Sequence, residues 1–142
     1  SKARELVQDA DTQADALAAI CNFVVDNVSY DSAKADQLKN ATGYVPDPDE
    51  TLASGTGICF DYASLGAAML RSQGIPTKVV TGYVSPNGIY HAWIMVYIDG
   101  TWGSAHFSVV ANTWSRVDLT FAASDAAGNV GDGKEYTDRY VY

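Results

Sequence analysis

The sequence predicts a single domain of the α+β class, because helical patterns come first along the chain and strand patterns follow them. Apolar residues recur at steps of three and four from residue 5 to about residue 30, which predicts one amphipathic N-terminal helix. From residue 77 onward, β-branched and aromatic runs alternate with turn signals, which predicts an antiparallel sheet. The length of 142 residues suits one core, and the 47% of apolar residues can fill it.

A loop and a second helix are predicted between these two regions. Residues 31–55 are polar, contain several Gly and Pro residues and show no sustained period, so we expect a loop region. A buried helix from about residue 58 to residue 73 follows it, because Arg71 near its end and Gly74 just beyond are helix-stop signals. Its many Ala and Gly residues would let other elements approach closely.

The second half of the chain is predicted to consist mainly of strands. Apolar and β-branched runs place them at residues 77–84, 89–98, 105–110 and 113–120. Turn signals separate these strands at residues 85–88, 99–100 and 111–112, and the last of them would close a hairpin between 105–110 and 113–120. Both faces of the 89–98 run are largely apolar, so we expect a central strand. The single domain is then divided into an N-terminal helix (1–30), a loop region (31–55), a core (56–124) and a loop with an aromatic tail (125–142).

Charge and hydropathy limit the partners. Nine Lys and Arg residues are scattered among 17 Asp and Glu residues, for a net charge of −8. Polyanions require a clustered cationic face, so we expect neither nucleic acid nor anionic membranes as partners. No apolar run approaches the roughly 18 residues of a membrane span, and no signal peptide begins at Ser1. Low charge with abundant small polar residues is typical of secreted bacterial domains, so a secreted or cell-surface location is expected.

The cysteines and histidines do not form a recognisable metal site. Two of each are present, without the usual spacing of zinc ligands, and two cysteines are too few for a disulfide framework. Cys21 falls within the apolar stripe of the N-terminal helix, which indicates a small buried hydrophobe. The segment from Asp125 to Asp132 lacks the carboxylate spacing of a calcium-binding loop and is predicted to be a solvated loop. We therefore predict no metal and no cofactor.

Cys59 has the surroundings of a nucleophile. It follows a glycine-rich turn and lies in the first turn of the second helix, where free N–H groups and the helix dipole favour a thiolate. A thiol also requires a base, and the sequence offers His91 and His106. His91 opens the predicted central strand just after a turn. Taken singly, Cys59 fits a buried hydrophobe equally well, and His91 fits a hydrogen-bonded core residue.

Asp118 is the candidate for the third member of the site. It stands inside a strand-like run, where aspartate is disfavoured, so its presence there requires a reason. A carboxylate beside a catalytic histidine fixes the tautomer of the imidazole. The alternative is an Asp118 that pairs with Arg116 or ends the strand.

The motifs around Cys59, His91 and Asp118, and their order along the chain, resemble those of the transglutaminase-like superfamily of papain-type thiol enzymes. The resemblance covers about residues 44–124. It rests on Gly57-Ile58-Cys59-Phe60-Asp61-Tyr62-Ala63, Leu70-Arg71-Ser72-Gln73-Gly74-Ile75-Pro76, Gly82-Tyr83, His91-Ala92-Trp93, Trp114 and Val117-Asp118-Leu119-Thr120-Phe121. It implies a papain-like core with the nucleophile helix packed on an antiparallel sheet. Cys59 would be the nucleophile, His91 the general base and acid, and Asp118 the orienting carboxylate.

Two features depart from the pattern of this superfamily. Leu119 stands where members usually have proline, which affects the exit of the strand rather than the chemistry. A two-residue hairpin at residues 99–100 would pair His91 with Ser108 instead of Asp118. For the triad to form, residues 103–112 must make an excursion from the sheet. A compact loop would instead bring His106 near the position of the carboxylate.

The resemblance implies acyl transfer from an amide through a thioester on Cys59, with a peptide or protein substrate that includes cell-wall peptide as a candidate. Tyr44 is a candidate second oxyanion donor, and Trp93 and Tyr83 either pack beneath the cleft or grip the substrate. Hydrolysis and transfer to an amine remain open, and the sequence does not predict the oligomeric state. One alternative is an idle transglutaminase-like module that binds peptide or cell-wall glycan. Another is a redox protein with a Cys21–Cys59 disulfide.

Overall fold

Most of the helices precede the strands of the main sheet in the computed structural model, which describes residues 2–31, 33–34, 45–84, 89–103, 107–124 and 136–141. The helices include α1 (Lys2–Leu6), α2 (Gln13–Asn27), α3 (Pro48–Ser54), α4 (Cys59–Ser72) and α5 (Leu119–Ser124). The strands include β1 (Ser29–Tyr30), β2 (Thr56–Gly57), β3 (Thr77–Val84), β4 (Ile89–Tyr97), β5 (Trp102–Gly103), β6 (Ser108–Val109), β7 (Trp114–Val117) and β8 (Tyr136–Val141). The predicted α+β class is confirmed.

The N-terminal region contains two helices where one was predicted. Turn and bend residues separate α1 from α2, and Thr12 caps α2 by accepting a 3.0 Å hydrogen bond from the N–H of Asp15. A side-chain oxygen in the capping position satisfies an N–H group that would otherwise lack a partner at the helix start. The apolar stripe of α2 is fully buried at Leu17, Ile20, Cys21 and Val24, as its periodicity predicts.

The predicted loop over residues 31–55 contains helix α3. Asp47 caps this helix and accepts hydrogen bonds from the N–H groups of Asp49 and Glu50, and Pro48 occupies the first turn. An aspartate cap followed by proline is a local signal for the start of a helix. It was missed because the segment is polar and shows no sustained apolar period. Residues 35–44 of the same region lie outside the described residues.

The main sheet has the strand order β7-β4-β3-β8 and is antiparallel throughout. β4 is central, as predicted, and its residues Ala92, Ile94 and Val96 are buried. Helix α4 packs on β3 and β4, and on its other side against α2. Helix α4 also lies close to α5, because a Cβ added to Gly66 would lie 2.5 Å from Leu119 Cδ1. Tyr62 joins the two helices by donating its hydroxyl to the carbonyl of Val28 at 2.8 Å.

The C-terminal segment also belongs to the sheet. Residues 136–141 were predicted to be part of a loop and tail, but they form β8, which pairs with β3 along its length. Pairing with a strand that lies more than fifty residues earlier leaves no local signal in the sequence. The remaining predicted loop, residues 125–135, lies outside the described residues, as does the predicted turn at residues 85–88.

The connection between β4 and β7 is an excursion from the sheet. β4 pairs directly with β7, with Tyr97 opposite Trp114 and Ile94 opposite Val117. The pairing of His91 with Ser108 that a two-residue hairpin at residues 99–100 would produce is therefore not formed. In the described part of the intervening chain, β5 pairs with β6, and Asn112 N donates a 2.8 Å hydrogen bond to Ile98 O. The predicted pairing of 105–110 with 113–120 is also wrong, because β6 pairs with β5 and the chain after Val117 becomes α5.

Candidate active site

Cys59 is the first residue of α4. Ile58 caps the helix in an extended conformation, and the chain reaches it through β2, which pairs in parallel with β1. A 2.9 Å bond from Asp31 N to Gly57 O continues this pairing up to the helix. The side chain of Cys59 is partly buried, and the first N–H groups of an α-helix have no partner within the helix. Cys59 therefore lies at the positive end of the helix dipole.

Asp118 lies beside His91 because of the register between β4 and β7. Val117 is opposite Ile94, so the next residue of the chain emerges beside the start of β4. The Nε2 atom of His91 and the Oδ2 atom of Asp118 are 2.8 Å apart. Only 9% and 8% of these two side chains are exposed. The excursion of residues 98–112 makes this arrangement possible, since a tight hairpin would shift the register.

His91 also forms a side-chain hydrogen bond with Cys59. Burial lowers the pKa of His91, but its hydrogen bonds to Asp118 and Cys59 and the negative charges of these two groups outweigh that effect and raise the pKa to about 10. Because Nε2 is bonded to Asp118, Nδ1 is the ring nitrogen left for Cys59. A pKa of about 10 favours the imidazolium of His91 at neutral pH, between the Asp118 carboxylate and the sulfur of Cys59.

Trp93 lies beneath this cluster. It is 1% exposed and packs with the buried Val80 and the partly buried Met95. Its ring stacks beside that of His91, with 6.3 Å between the ring centroids. This burial fits packing under the site and leaves the indole no surface for gripping a substrate. Three residues proposed from the sequence lie outside what the structure describes: Tyr44, His106 and the side chain of Tyr83.

Asp61 and Lys34 belong to the site, although the sequence pattern did not single them out. Asp61 is fully buried, and its Oδ2 accepts hydrogen bonds from the Ile58 N–H and from Lys34 Nζ, both at 2.9 Å. An acidic residue three positions after a helix cap is a known capping signal, which could have identified Asp61. Nothing in the local sequence points to Lys34.

The two cysteines have different environments. Both are free thiols, so a Cys21–Cys59 disulfide is absent and that redox alternative is not supported. Cys21 is fully buried, and burial raises the pKa of its thiol far above the usual range. Within the described ranges, no group of three or more His, Cys, Asp and Glu residues could hold a metal ion. No helix in those ranges is long and apolar enough to cross a membrane.

The fold and this arrangement of Cys, His and Asp define a papain-type core, and comparison with known families identifies the group. A model of the Transglutaminase-like superfamily matches residues 1–118. The chain belongs to this superfamily. The match begins before the motifs that carry the sequence resemblance and therefore includes α1 and α2.

Two relatives are similar in sequence. Uncharacterized protein ML0607 of Mycobacterium leprae is 30% identical over 116 residues, which are 75% of this chain and 38% of the relative. Kyphoscoliosis peptidase of Homo sapiens is 29% identical over 120 residues, which are 78% of this chain and 17% of the relative. The chain therefore spans less than half the length of either relative.

Two solved structures share the fold. "A Putative Cysteine Protease from Cytophaga hutchinsonii" superposes with a TM-score of 0.63 at 20% identity, over 99% of this chain and 47% of that chain. A structure described as "a TGase" superposes with a TM-score of 0.61 at 19% identity, over 84% of this chain and 28% of that chain. At these identities the likeness shows a shared fold.

Proposed function

We propose that this domain is a thiol enzyme that acts on amide bonds. Cys59 is the nucleophile, His91 is the general base and acid, and Asp118 orients His91. The observation that carries the proposal is that His91 joins the Asp118 carboxylate, at 2.8 Å, to a thiol at the start of a helix. Membership of the Transglutaminase-like superfamily supports the same assignment. So does the name of the human relative, a peptidase.

The reaction begins from a thiolate of Cys59 paired with the imidazolium of His91. The thiolate attacks the amide carbonyl carbon, an S–C bond forms, and the carbonyl π electrons move to oxygen. When the tetrahedral intermediate collapses, the C–N bond breaks and Nδ1 of His91 gives its proton to the departing amine. A thioester on Cys59 and a neutral His91 remain.

A second nucleophile completes the cycle. Water or an amine attacks the thioester while Nδ1 of His91 accepts its proton, and the S–C bond breaks to restore the thiolate and imidazolium. Water yields an acid, and an amine yields a new amide. Hydrolysis and acyl transfer therefore use the same residues, and access of water to the thioester decides between them.

The developing oxyanion requires donors at the start of α4. The backbone N–H of Cys59 is one donor in this proposal, and Tyr44 is the candidate for the second. Removal of one such donor typically costs about 3 kcal/mol of transition-state stabilisation. Asp118 keeps the Nε2 proton of His91 engaged, which directs Nδ1 toward Cys59. Peptides and proteins, including cell-wall peptides, are the proposed substrates.

Alkylation by iodoacetamide tests the nucleophile assignment. We expect Cys59 to react at pH 6, because the His91 imidazolium favours a thiolate beside it. His91→Ala should abolish this reactivity at pH 6, and Cys59→Ala measures the labelling that Cys21 contributes. If Cys59 reacted only above about pH 8 and His91→Ala changed nothing, the domain would be an idle module that binds peptide or glycan.

Peptide amides, incubated with and without an added amine, test the reaction type. Release of ammonia or of a peptide fragment without the amine indicates hydrolysis, and incorporation of the amine indicates acyl transfer. Failure of both reactions, in a protein whose Cys59 reacts at pH 6, would contradict the proposed amide substrate.

A further inference from the structure

We infer that Lys34 is a positioning residue for Cys59, acting through the buried carboxylate of Asp61. This inference rests on the proposed function, in which Cys59 reacts as a thiolate. The two side chains, called here the Lys34–Asp61 pair, are joined at 2.9 Å between Lys34 Nζ and Asp61 Oδ2. Asp61 is completely buried and Lys34 is 30% exposed. Solvent therefore screens the charge of Asp61 very little, and the Lys34 ammonium offsets it instead.

The pair is attached to the residue that precedes the nucleophile. The oxygen that receives the Lys34 ammonium also accepts the N–H of Ile58 at 2.9 Å. Ile58 is the helix cap, and Cys59 is the next residue. The orientation of this one carboxylate therefore fixes the backbone from which Cys59 projects, and Lys34 holds that carboxylate in place.

The chain on the other side of Asp61 is equally constrained. A Cβ added to Gly57 would lie 2.7 Å from the Cβ of Asp61, closer than side chains approach each other. Gly57 is also paired with Tyr30 in the β1–β2 ladder. Lys34 follows β1 after three residues, and its N–H donates to Asp31 Oδ1 at 3.0 Å. The strand pairing and the Lys34–Asp61 pair thus hold the segment before Cys59 from two sides.

The same pair balances charge near the thiolate. Asp61 lies two residues after Cys59, in the first turn of α4, where its negative charge opposes formation of a second anion. The Lys34 ammonium offsets that charge. His91 of β4 and Asp118, which follows β7, form a second ion pair of the site. Asp31 and Glu50 share with Lys34 the lining of a pocket of about 330 Å³.

Four variants of the full chain test the inference by the rate of Cys59 alkylation at pH 6. Lys34→Met removes the ammonium that offsets the charge of Asp61, and we expect the rate to fall about tenfold. Lys34→Arg retains the charge and should retain most of the rate. Asp61→Asn keeps an oxygen for the Ile58 N–H but removes the anion, so its rate should equal or exceed that of the wild type. The double variant Lys34→Met/Asp61→Asn should recover most of the loss.

Thermal unfolding and a matched control separate this role from a structural one. Lys2→Met removes a cation from the surface ion pair with Glu5, at 3.6 Å, and should leave the rate unchanged. If the pair were only structural, Lys34→Met and Asp61→Asn would both lower the Tm without changing the alkylation rate of the folded protein. That result, or a double variant as slow as Lys34→Met, would overturn the inference. Should Lys34→Met not fold, a slower rate in Asp61→Asn would overturn it alone.

Failure of the proposed function gives a different result. In that case the wild-type protein itself would not be alkylated at pH 6, and His91→Ala would have no effect. Wild-type reactivity that depends on His91 but not on Lys34 would leave the proposed function standing and contradict the role of Lys34.

Discussion

Cys21 and Cys59 are chemically identical side chains in neighbouring helices, yet their environments are opposite. Cys21 lies in the middle of α2, fully buried among apolar residues. Cys59 is the first residue of α4, partly buried and hydrogen-bonded to His91. The middle of a helix offers a thiol no unpaired N–H groups, whereas the first turn offers several.

The difference shows that position on the helix and the charge of neighbouring groups determine what a cysteine does. Burial raises the pKa of the Cys21 thiol and keeps it protonated and inert. Cys59 has an imidazolium beside it, because the pKa of His91 is raised to about 10. In the proposed function, a helix that begins at Cys59 and a histidine near the start of the central strand β4 supply both reactive groups within one domain.

Replacing Cys59 should have the largest effect on the reaction rate, and replacing Cys21 is the matched control. We expect Cys59→Ser to lower the amidase or acyl-transfer rate at least a thousandfold, because a hydroxyl is a much weaker nucleophile than a thiolate. Cys21→Ala should leave the rate per folded molecule unchanged. Rates are normalised to folded protein from circular dichroism. A Cys59→Ser variant that retained the wild-type rate would remove Cys59 from the chemistry.

Replacing the Asp118 carboxylate by an amide should have the next largest effect. Asp118→Asn preserves the shape but presents the wrong partner to His91 Nε2, and we expect a loss of about a hundredfold to ten-thousandfold in kcat. The pKa of His91, measured by NMR, should fall from the vicinity of 10, because Asp118 contributes both a hydrogen bond and a charge to the increase. An unchanged His91 pKa in this variant would contradict the assignment of Asp118.

The effect of Asp118→Asn on the unfolding free energy should depend on pH in a defined direction. The pKa of His91 in the folded protein, about 10, lies above the 6.5 of an unperturbed histidine. Protonation of His91 therefore stabilises the folded state fully below about pH 6.5, and this contribution is lost as the pH rises toward 10. The difference in unfolding free energy between the wild type and Asp118→Asn should be greatest near pH 6 and shrink at higher pH. Urea unfolding at several pH values measures it.

Much of the fold can be predicted from local pattern. α4 was expected over residues 58–73 and extends over Cys59–Ser72, and β3 matches its predicted bounds, because stop signals and β-branched runs are written in neighbouring residues. The break between α1 and α2 was missed because the apolar period continues across it. The signal for the break is Thr12, which caps the start of a new helix. β8 was missed because its partner, β3, is distant in the chain.

The candidate site shows the same limit at the level of side chains. The His91–Asp118 and Lys34–Asp61 pairs each join residues that are 27 positions apart. The first pair was expected because both residues lie in motifs of a known superfamily. The second was not, because Lys34 has no motif and its contact depends on how residues 29–31 pair with the segment before α4. Long-range contacts without a motif require the structure.

The smallest expected effect is the change in the protein's unfolding free energy when Cys21 is replaced. Cys21→Ala removes one buried sulfur and leaves a small cavity, so the unfolding free energy should fall by about 1–2 kcal/mol. Cys21→Ser fills more of the space but buries a hydroxyl among apolar residues, so it should cost more than alanine despite its larger volume. Urea unfolding of the two variants provides the comparison. If serine were better tolerated than alanine, Cys21 would lie in a polar environment, and the contrast with Cys59 would be lost.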